Sequence, residues 1–142
     1  MNRTVAVLLI VALSALLLSS CGRAQAQPSI AIGCEAFQAE PRQARQISLR
    51  TKDTLRVTLC ANLSTGYSWE DAQISDPAVI EVTDEVYLMG EKAKGLLGAP
   101  GAQVWTLRAL QKGETSVAFT YSQPWQGGDK GAWELALQVR VE

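Results

Sequence analysis

The sequence predicts an all-β fold, an immunoglobulin-like β-sandwich of about seven to eight antiparallel strands. Three observations carry this expectation. Apolar residues recur with period 2 rather than 3.6 through most of the chain, the spacing that places alternate side chains on one face of a strand. Glycine, proline, asparagine and aspartate punctuate the chain between those segments, at the spacing of short strands joined by turns. No long amphipathic helical pattern and no internal repeat is present, which disfavours bundles and solenoids.

The segment 46–60 holds two strands, one with Ile47 and Leu49 and one with Leu55, Val57 and Leu59, separated by a turn at Lys52-Asp53. Shorter and weaker strands are expected over 67–73 and 78–88. The stretch 90–101 carries Gly90, Gly95, Gly98, Pro100 and Gly101, a composition suited to a functional loop rather than to core. A strand over 102–110 sets Val104 and Trp105 on opposite faces. Gln111-Lys112-Gly113-Glu114 reads as a tight hairpin turn. Over 115–121, Val117, Phe119 and Tyr121 share a face. The clearest strand is 132–141, where Trp133, Leu135, Leu137, Val139 and Val141 alternate with Glu134, Gln138 and Arg140. That is the signature of a strand with one face in the core and one in water.

The N-terminal segment has the features of an export signal and is set apart from the fold. Arg3 supplies a positive charge, and 5–18 is an uncharged apolar run too short to span a membrane comfortably. It ends in Leu18-Ser19-Ser20-Cys21-Gly22, which resembles a bacterial lipobox. The resemblance implies a lipoprotein signal peptide over 1–20, cleavage before Cys21 and lipid on the Cys21 thiol. The simpler alternative is an ordinary secretory signal cleaved near Ala24 or Ala26. Residues 21–33 are then expected to form the lipid anchor and a flexible tether, with the folded domain over 34–142. The expected location is the bacterial cell envelope, outside the cytoplasm and held to a membrane by lipid.

Cleavage before Cys21 leaves 122 of 142 residues, enough for one domain with a real core. It takes the net charge from -1 to -2, because Arg3 is lost and no acidic residue precedes Cys21. No basic run or stripe exists, so nucleic acid is not an expected partner. The chain has no histidine, which removes the commonest general base and transition-metal ligand; no metal or other cofactor is expected. With Cys21 lipidated, Cys34 and Cys60 remain. In an oxidising compartment a disulfide between them is the default.

Three separated segments pair turn residues with apolar ones: Asn62-Leu63-Ser64-Thr65-Gly66-Tyr67-Ser68-Trp69, Leu96-Leu97-Gly98-Ala99-Pro100-Gly101 and Gln123-Pro124-Trp125. Loops ordinarily face water, so apolar residues on three of them suggest one composite binding surface. In the first, Asn62 can form an Asx-turn and Gly66 permits positive φ. Tyr67 and Trp69 on one strand face fit a core role, but a turn that only connects strands does not require Ser64-Thr65 at its apex.

These segments resemble the signatures of the chagasin family of cysteine protease inhibitors. The family carries an Asn-Pro-Thr-Thr-Gly-aromatic-x-Trp loop, matched here by Asn62, Thr65, Gly66, Tyr67 and Trp69. Its Gly-x-x-Gly loop after aliphatic residues is matched by 96–101. Its Arg-Pro-Trp after a strand ending in Tyr is matched by Tyr121-Ser122-Gln123-Pro124-Trp125 except at Gln123. The motifs stand in family order, and the resemblance covers nearly everything from 35 to 141.

The resemblance implies a monomeric, reversible inhibitor of papain-like cysteine proteases that fills the active-site cleft with three loops from one end of the sandwich. Residues 62–66 would cover the catalytic cysteine, with Thr65 nearest it. Leu96 and Leu97 would run along the non-primed side, and Pro124-Trp125 would reach the primed side. Two positions depart from the pattern. Leu63 replaces the usual proline, which implies a less rigid first loop. Gln123 replaces arginine, removing a charged donor; restoring arginine there is expected to tighten binding.

Two other functional classes share parts of this pattern. A non-inhibitory immunoglobulin-like envelope lipoprotein that binds another protein or a glycan would show the same aromatic rim. An enzyme would have to use Glu70-Asp71 or Asp84-Glu85, but neighbouring strand residues point to opposite faces and do not converge on a substrate. The chain is therefore not expected to be an enzyme.

Overall fold

The computed structural model describes residues 27–90 and 98–142. The elements run β1 (Ser29–Ile32), α1 (Cys34–Ala39), β2 (Arg42–Leu49), β3 (Thr54–Ala61), a single 3-10 turn (Leu63–Thr65), β4 (Ser68–Trp69), β5 (Gln73–Ile74), β6 (Ile80–Leu88), β7 (Gly101–Ala109), β8 (Gly113–Ser122) and β9 (Trp133–Val141). They form two sheets. One has the order β1-β3-β7-β6, the other β2-β9-β8-β4, with β5 also pairing with β8.

The core lies between the sheets and follows the alternation of the sequence. Leu55, Val57 and Leu59 on β3 and Trp105 and Leu107 on β7 are buried, as are Val117, Phe119 and Tyr121 on β8 and Leu135, Leu137, Val139 and Val141 on β9. The two inner faces thus meet as in a face-to-face sandwich. Val104 and Trp105 are both buried although they are neighbours on β7; Trp105 faces the core, and Val104, on the other face, sits between Thr58 of β3 and Val86 of β6.

Aromatic rings run through the core toward one end. Phe37 stacks on Trp133 (5.2 Å between centroids), Trp133 on Tyr121 (4.8 Å) and Tyr121 on Tyr67 (5.5 Å). Trp69 packs edge-on to Trp105 at 6.0 Å, and Trp105 lies against Phe119 at 4.7 Å. Such pairs each add about 0.5–1.5 kcal/mol beyond area burial. The Trp105 ring nitrogen is buried with no hydrogen-bond partner among the described residues.

The structure amends or adds to the sequence reading at four places. First, the pairing is mixed: β1 runs parallel to β3 and β2 runs parallel to β9. Parallel partners are distant in sequence and leave no local turn signal. Second, Ser29–Ile32 is a strand with Ile32 buried, so the sandwich reaches back into the stretch read as tether. Third, the short helix α1 places Phe37 in the core. Fourth, Gln111-Lys112-Gly113-Glu114 is not a hairpin, because β7 and β8 belong to different sheets. The chain crosses between sheets there, with Leu110 N donating to the Val79 carbonyl at 2.8 Å. A Cβ on Gly113 would stand 2.8 Å from a Val79 methyl, so the crossing needs glycine for close approach.

The disulfide joins Cys34, the first residue of α1, to Cys60 near the end of β3, with Cα atoms 5.1 Å apart. The Cys60 carbonyl also accepts from the Trp69 ring nitrogen at 2.9 Å. The strand that delivers the first loop is thereby tied to a helix on one side and a core tryptophan on the other.

Candidate functional site: three loops at one end

β3 ends at Ala61 and the chain turns at once. Asn62 carries most of the turn. Its side-chain oxygen accepts from Ser64 N (3.2 Å) and Ser64 Oγ (2.6 Å). Its carbonyl accepts from Thr65 N (3.2 Å) and from Thr65 Oγ1 (2.6 Å). This is the side chain-to-backbone capping that favours asparagine before a short helical turn. Gly66 closes the turn in the left-handed region at φ 81°, where a side chain is disfavoured. Leu63 stands where the family pattern has proline, and the bonds from Ser64, Thr65 and Gly66 hold the backbone around it.

Tyr121 anchors this loop to β8. Its hydroxyl accepts from Asn62 N (2.8 Å) and donates to Asn62 O (3.3 Å). Tyr121 is buried, so the loop base rests on the aromatic core rather than on a solvated strand end.

The other two loops pack against the first. Asn62 Nδ2 donates to the Gly98 carbonyl at 3.0 Å, which joins the glycine loop to the asparagine turn. A Cβ on Gly66 would lie 2.7 Å from the Trp125 ring, so that ring covers the glycine face. Of the predicted site residues, Asn62, Leu63, Ser64, Thr65, Gly66, Tyr67, Gly98, Ala99, Pro100, Gly101, Gln123, Pro124 and Trp125 are described, whereas Leu96 and Leu97, like Cys21, lie outside the described residues. The surface is partly apolar, with Leu63 52% and Trp125 50% exposed. Ser64, Thr65 and Pro124 are also exposed.

A family model described as Chagasin family peptidase inhibitor I42 matches residues 48–139. The chain belongs to the chagasin family. Amoebiasin-2 of Entamoeba histolytica is 26% identical over 89 residues, which cover 63% of this chain and 71% of that protein. Among solved structures, the cysteine protease inhibitor EhICP2 from Entamoeba histolytica superposes with a TM-score of 0.64 at 20% identity, covering 81% of this chain and 96% of that one. PbICP-C, solved in complex with falcipain-2, gives 0.62 at 19% identity, covering 81% and 99%. These two likenesses establish the sandwich, and the family match adds that it is a peptidase inhibitor's sandwich.

Other predicted features fall into structural roles. Trp69 and Trp105 are core, and Trp133 packs against the core half-buried. Glu70, Asp71, Asp84 and Glu85 are exposed, and Glu85 accepts from Gln103 Nε2 at 2.7 Å. Sequence reasoning missed Asp129 and Lys130, which organise the third loop, and the tethering role of the Tyr121 hydroxyl. The signal available for the former was the long turn-rich run 123–132 between two strong strands, longer than a hairpin loop requires.

Proposed function

We propose that this member of the chagasin family is a reversible, non-covalent inhibitor of papain-like cysteine proteases that occludes the active-site cleft with the three-loop end. The observation that carries the reading is that motifs 62–69, 98–101 and 123–125 form one interlocked surface, with Asn62 bonded to Gly98 and Trp125 lying over Gly66. Family membership, and the likeness to the cysteine protease inhibitor EhICP2 and to PbICP-C in complex with falcipain-2, support the target class. Thr65, exposed at the turn apex, is the residue assigned nearest the catalytic cysteine. Trp125 and Leu63 are the apolar anchors; a large rigid aromatic is the commonest interface hot spot. The action is binding rather than catalysis. A turn restrained by its own hydrogen bonds fills a cleft without presenting a scissile bond in attack geometry.

The same reading takes the protein to be exported and anchored through a lipid on Cys21, supported by the run 5–18 and the small residues before Cys21. Among the described residues no helix is long and apolar enough to cross a membrane. The inhibitory reading is tested by titrating several papain-like enzymes and a serine protease with a soluble form starting at Gln27. Papain-like activity should fall reversibly and serine protease activity should persist. Full activity of every papain-like enzyme at saturating domain would instead favour a non-inhibitory binding module.

A further inference from the structure

The third loop runs ten residues from Gln123 to the start of β9, yet Trp125 near its tip is held in one place over Gly66. A loop of that length is ordinarily free to sample many conformations, and binding through it carries an ordering cost. The contacts that remove this freedom lie along the loop backbone and at its base rather than on the Trp125 ring.

Gln123 and Asp129 face each other across the base of the loop. Gln123 N donates to the Asp129 carbonyl at 2.8 Å, and Asp129 N donates to the Gln123 side-chain oxygen at 2.9 Å. Gly128 N donates to the Trp125 carbonyl at 3.2 Å, closing a turn. Lys130 Nζ donates to the carbonyls of Gln123 and Trp125. The Asp129 side chain then leaves its own loop: Asp129 Oδ2 accepts from the Tyr67 hydroxyl at 2.9 Å. Tyr67 follows directly on Gly66 and stacks on Tyr121, so this bond joins the third loop to the end of the first.

We propose that Asp129, outside all three loop motifs, is a positioning residue that locks the Trp125 loop to the first loop through Tyr67, and that Gln123 serves as its partner across the loop base. The inference rests on the inhibitory reading of the three-loop end and adds to it how that end is held in shape before a protease arrives. Gln123 spends its side-chain acceptor inside the loop. Arginine at 123 carries no acceptor and would leave Asp129 N unpartnered, so the expectation drawn from the family pattern reverses: Gln123→Arg should loosen the loop. Gln123→Glu, which keeps an acceptor at the same reach, should preserve it.

The test is a double-substitution cycle on the soluble domain. Tyr67→Phe and Asp129→Ala each remove one side of the link without touching Trp125. Each should raise the inhibition constant for a papain-like enzyme about 5- to 10-fold, and the double variant should be no worse than either single, because both delete the same bond. Gln123→Arg should raise it and Gln123→Glu should not. Single variants within twofold of the unaltered protein, or a double variant showing the product of the single effects, would overturn the proposal.

The free domain supplies a readout that needs no protease. The bond to Asp129, with lesser contributions from burial and from the neighbouring charges of Asp129 and Tyr121, holds the Tyr67 phenol above its ordinary pKa. Its deprotonation, followed by phenolate absorbance, should therefore come later than that of an ordinary tyrosine and move back toward the ordinary range in Asp129→Ala. The fluorine resonance of 5-fluorotryptophan at position 125 should narrow and move toward its unfolded position in the same variant. An unchanged Trp125 resonance in Asp129→Ala would reject the positioning role. If the unaltered domain inhibits no papain-like enzyme, the inhibitory reading fails, and these two spectra still decide the link. Should Asp129→Ala lower the melting temperature, Tyr67→Phe alone carries the comparison.

Discussion

At the scale of single residues, the three-loop end depends on atoms whose roles differ in kind. Gly66 combines a left-handed backbone with a face covered by the Trp125 ring. Gly66→Ala should therefore weaken inhibition at least about tenfold, because the methyl both strains φ and displaces the ring. The melting temperature should move only modestly, since the turn lies outside the core. Trp125→Ala should cost about 2 kcal/mol or more in binding, as a hot-spot truncation does, with a small effect on stability because the residue is half exposed. Trp69→Ala is the opposite case. That side chain touches Phe37, Tyr121 and Trp105 and bonds the Cys60 carbonyl, so its loss should destabilise the fold by about 3–5 kcal/mol. Inhibition constants and melting curves for the three variants separate the roles. Unfolding by Trp125→Ala, with binding by the folded fraction unchanged, would assign Trp125 to the core.

The motif residues were legible in the sequence because each performs a local backbone task. Asparagine caps and glycine reverses within a few positions, so turn composition marks the loops, and their resemblance to the chagasin signatures marks the residues. Asp129 was not legible. Its partners are Tyr67, 62 residues away, and Gln123 across a loop, and a lone aspartate in a Gly-Gly-Asp-Lys-Gly run looks like any solvated turn residue. The hydrogen bonds of Asn62 with Ser64 and Thr65 around Leu63 depend on how the turn closes, which residue identity at 63 does not display.

Among the elements, β9 was the easiest to read, because every second residue faces the core. The strands β1 and β2 were harder. Each lies at an edge of its sheet in parallel pairing with a distant strand, and such pairing follows from the whole topology rather than from a neighbouring turn. The helix α1 is six residues with no side-chain cap, too short for periodicity to register. The disulfide makes this element matter. Closing a segment with a sequence separation of 26 should stabilise by roughly 3–4 kcal/mol on chain-entropy grounds. Replacing Cys34 and Cys60 together by serine should lower the unfolding free energy by that order in chemical denaturation. It should also weaken inhibition, since Cys60 lies two residues before Asn62. Unchanged stability in the double variant would show that the core alone holds β3 in place.

For the molecule as a whole, the sandwich works as a rigid stand. Two sheets and a file of stacked aromatic rings bring three loops to one end, where they brace one another before any partner binds. Pre-formed loops keep the entropy cost of association low, which is how a small apolar rim can bind tightly. The proposed lipid would set where this surface acts. Cys21→Ser should release the protein from the membrane fraction or block its processing, and unchanged membrane retention would dismiss the lipid anchor.

The central claim is that the three-loop end and a substrate compete for one cleft. It is tested most directly by measuring the affinity of the soluble domain for papain with the cleft empty and with the cleft filled by a covalently attached peptidyl inhibitor. Binding to the empty enzyme and a loss of at least about a hundredfold on the filled one is the predicted result. Equal affinity for the two forms would contradict it, because the domain would then be attached somewhere other than the active site.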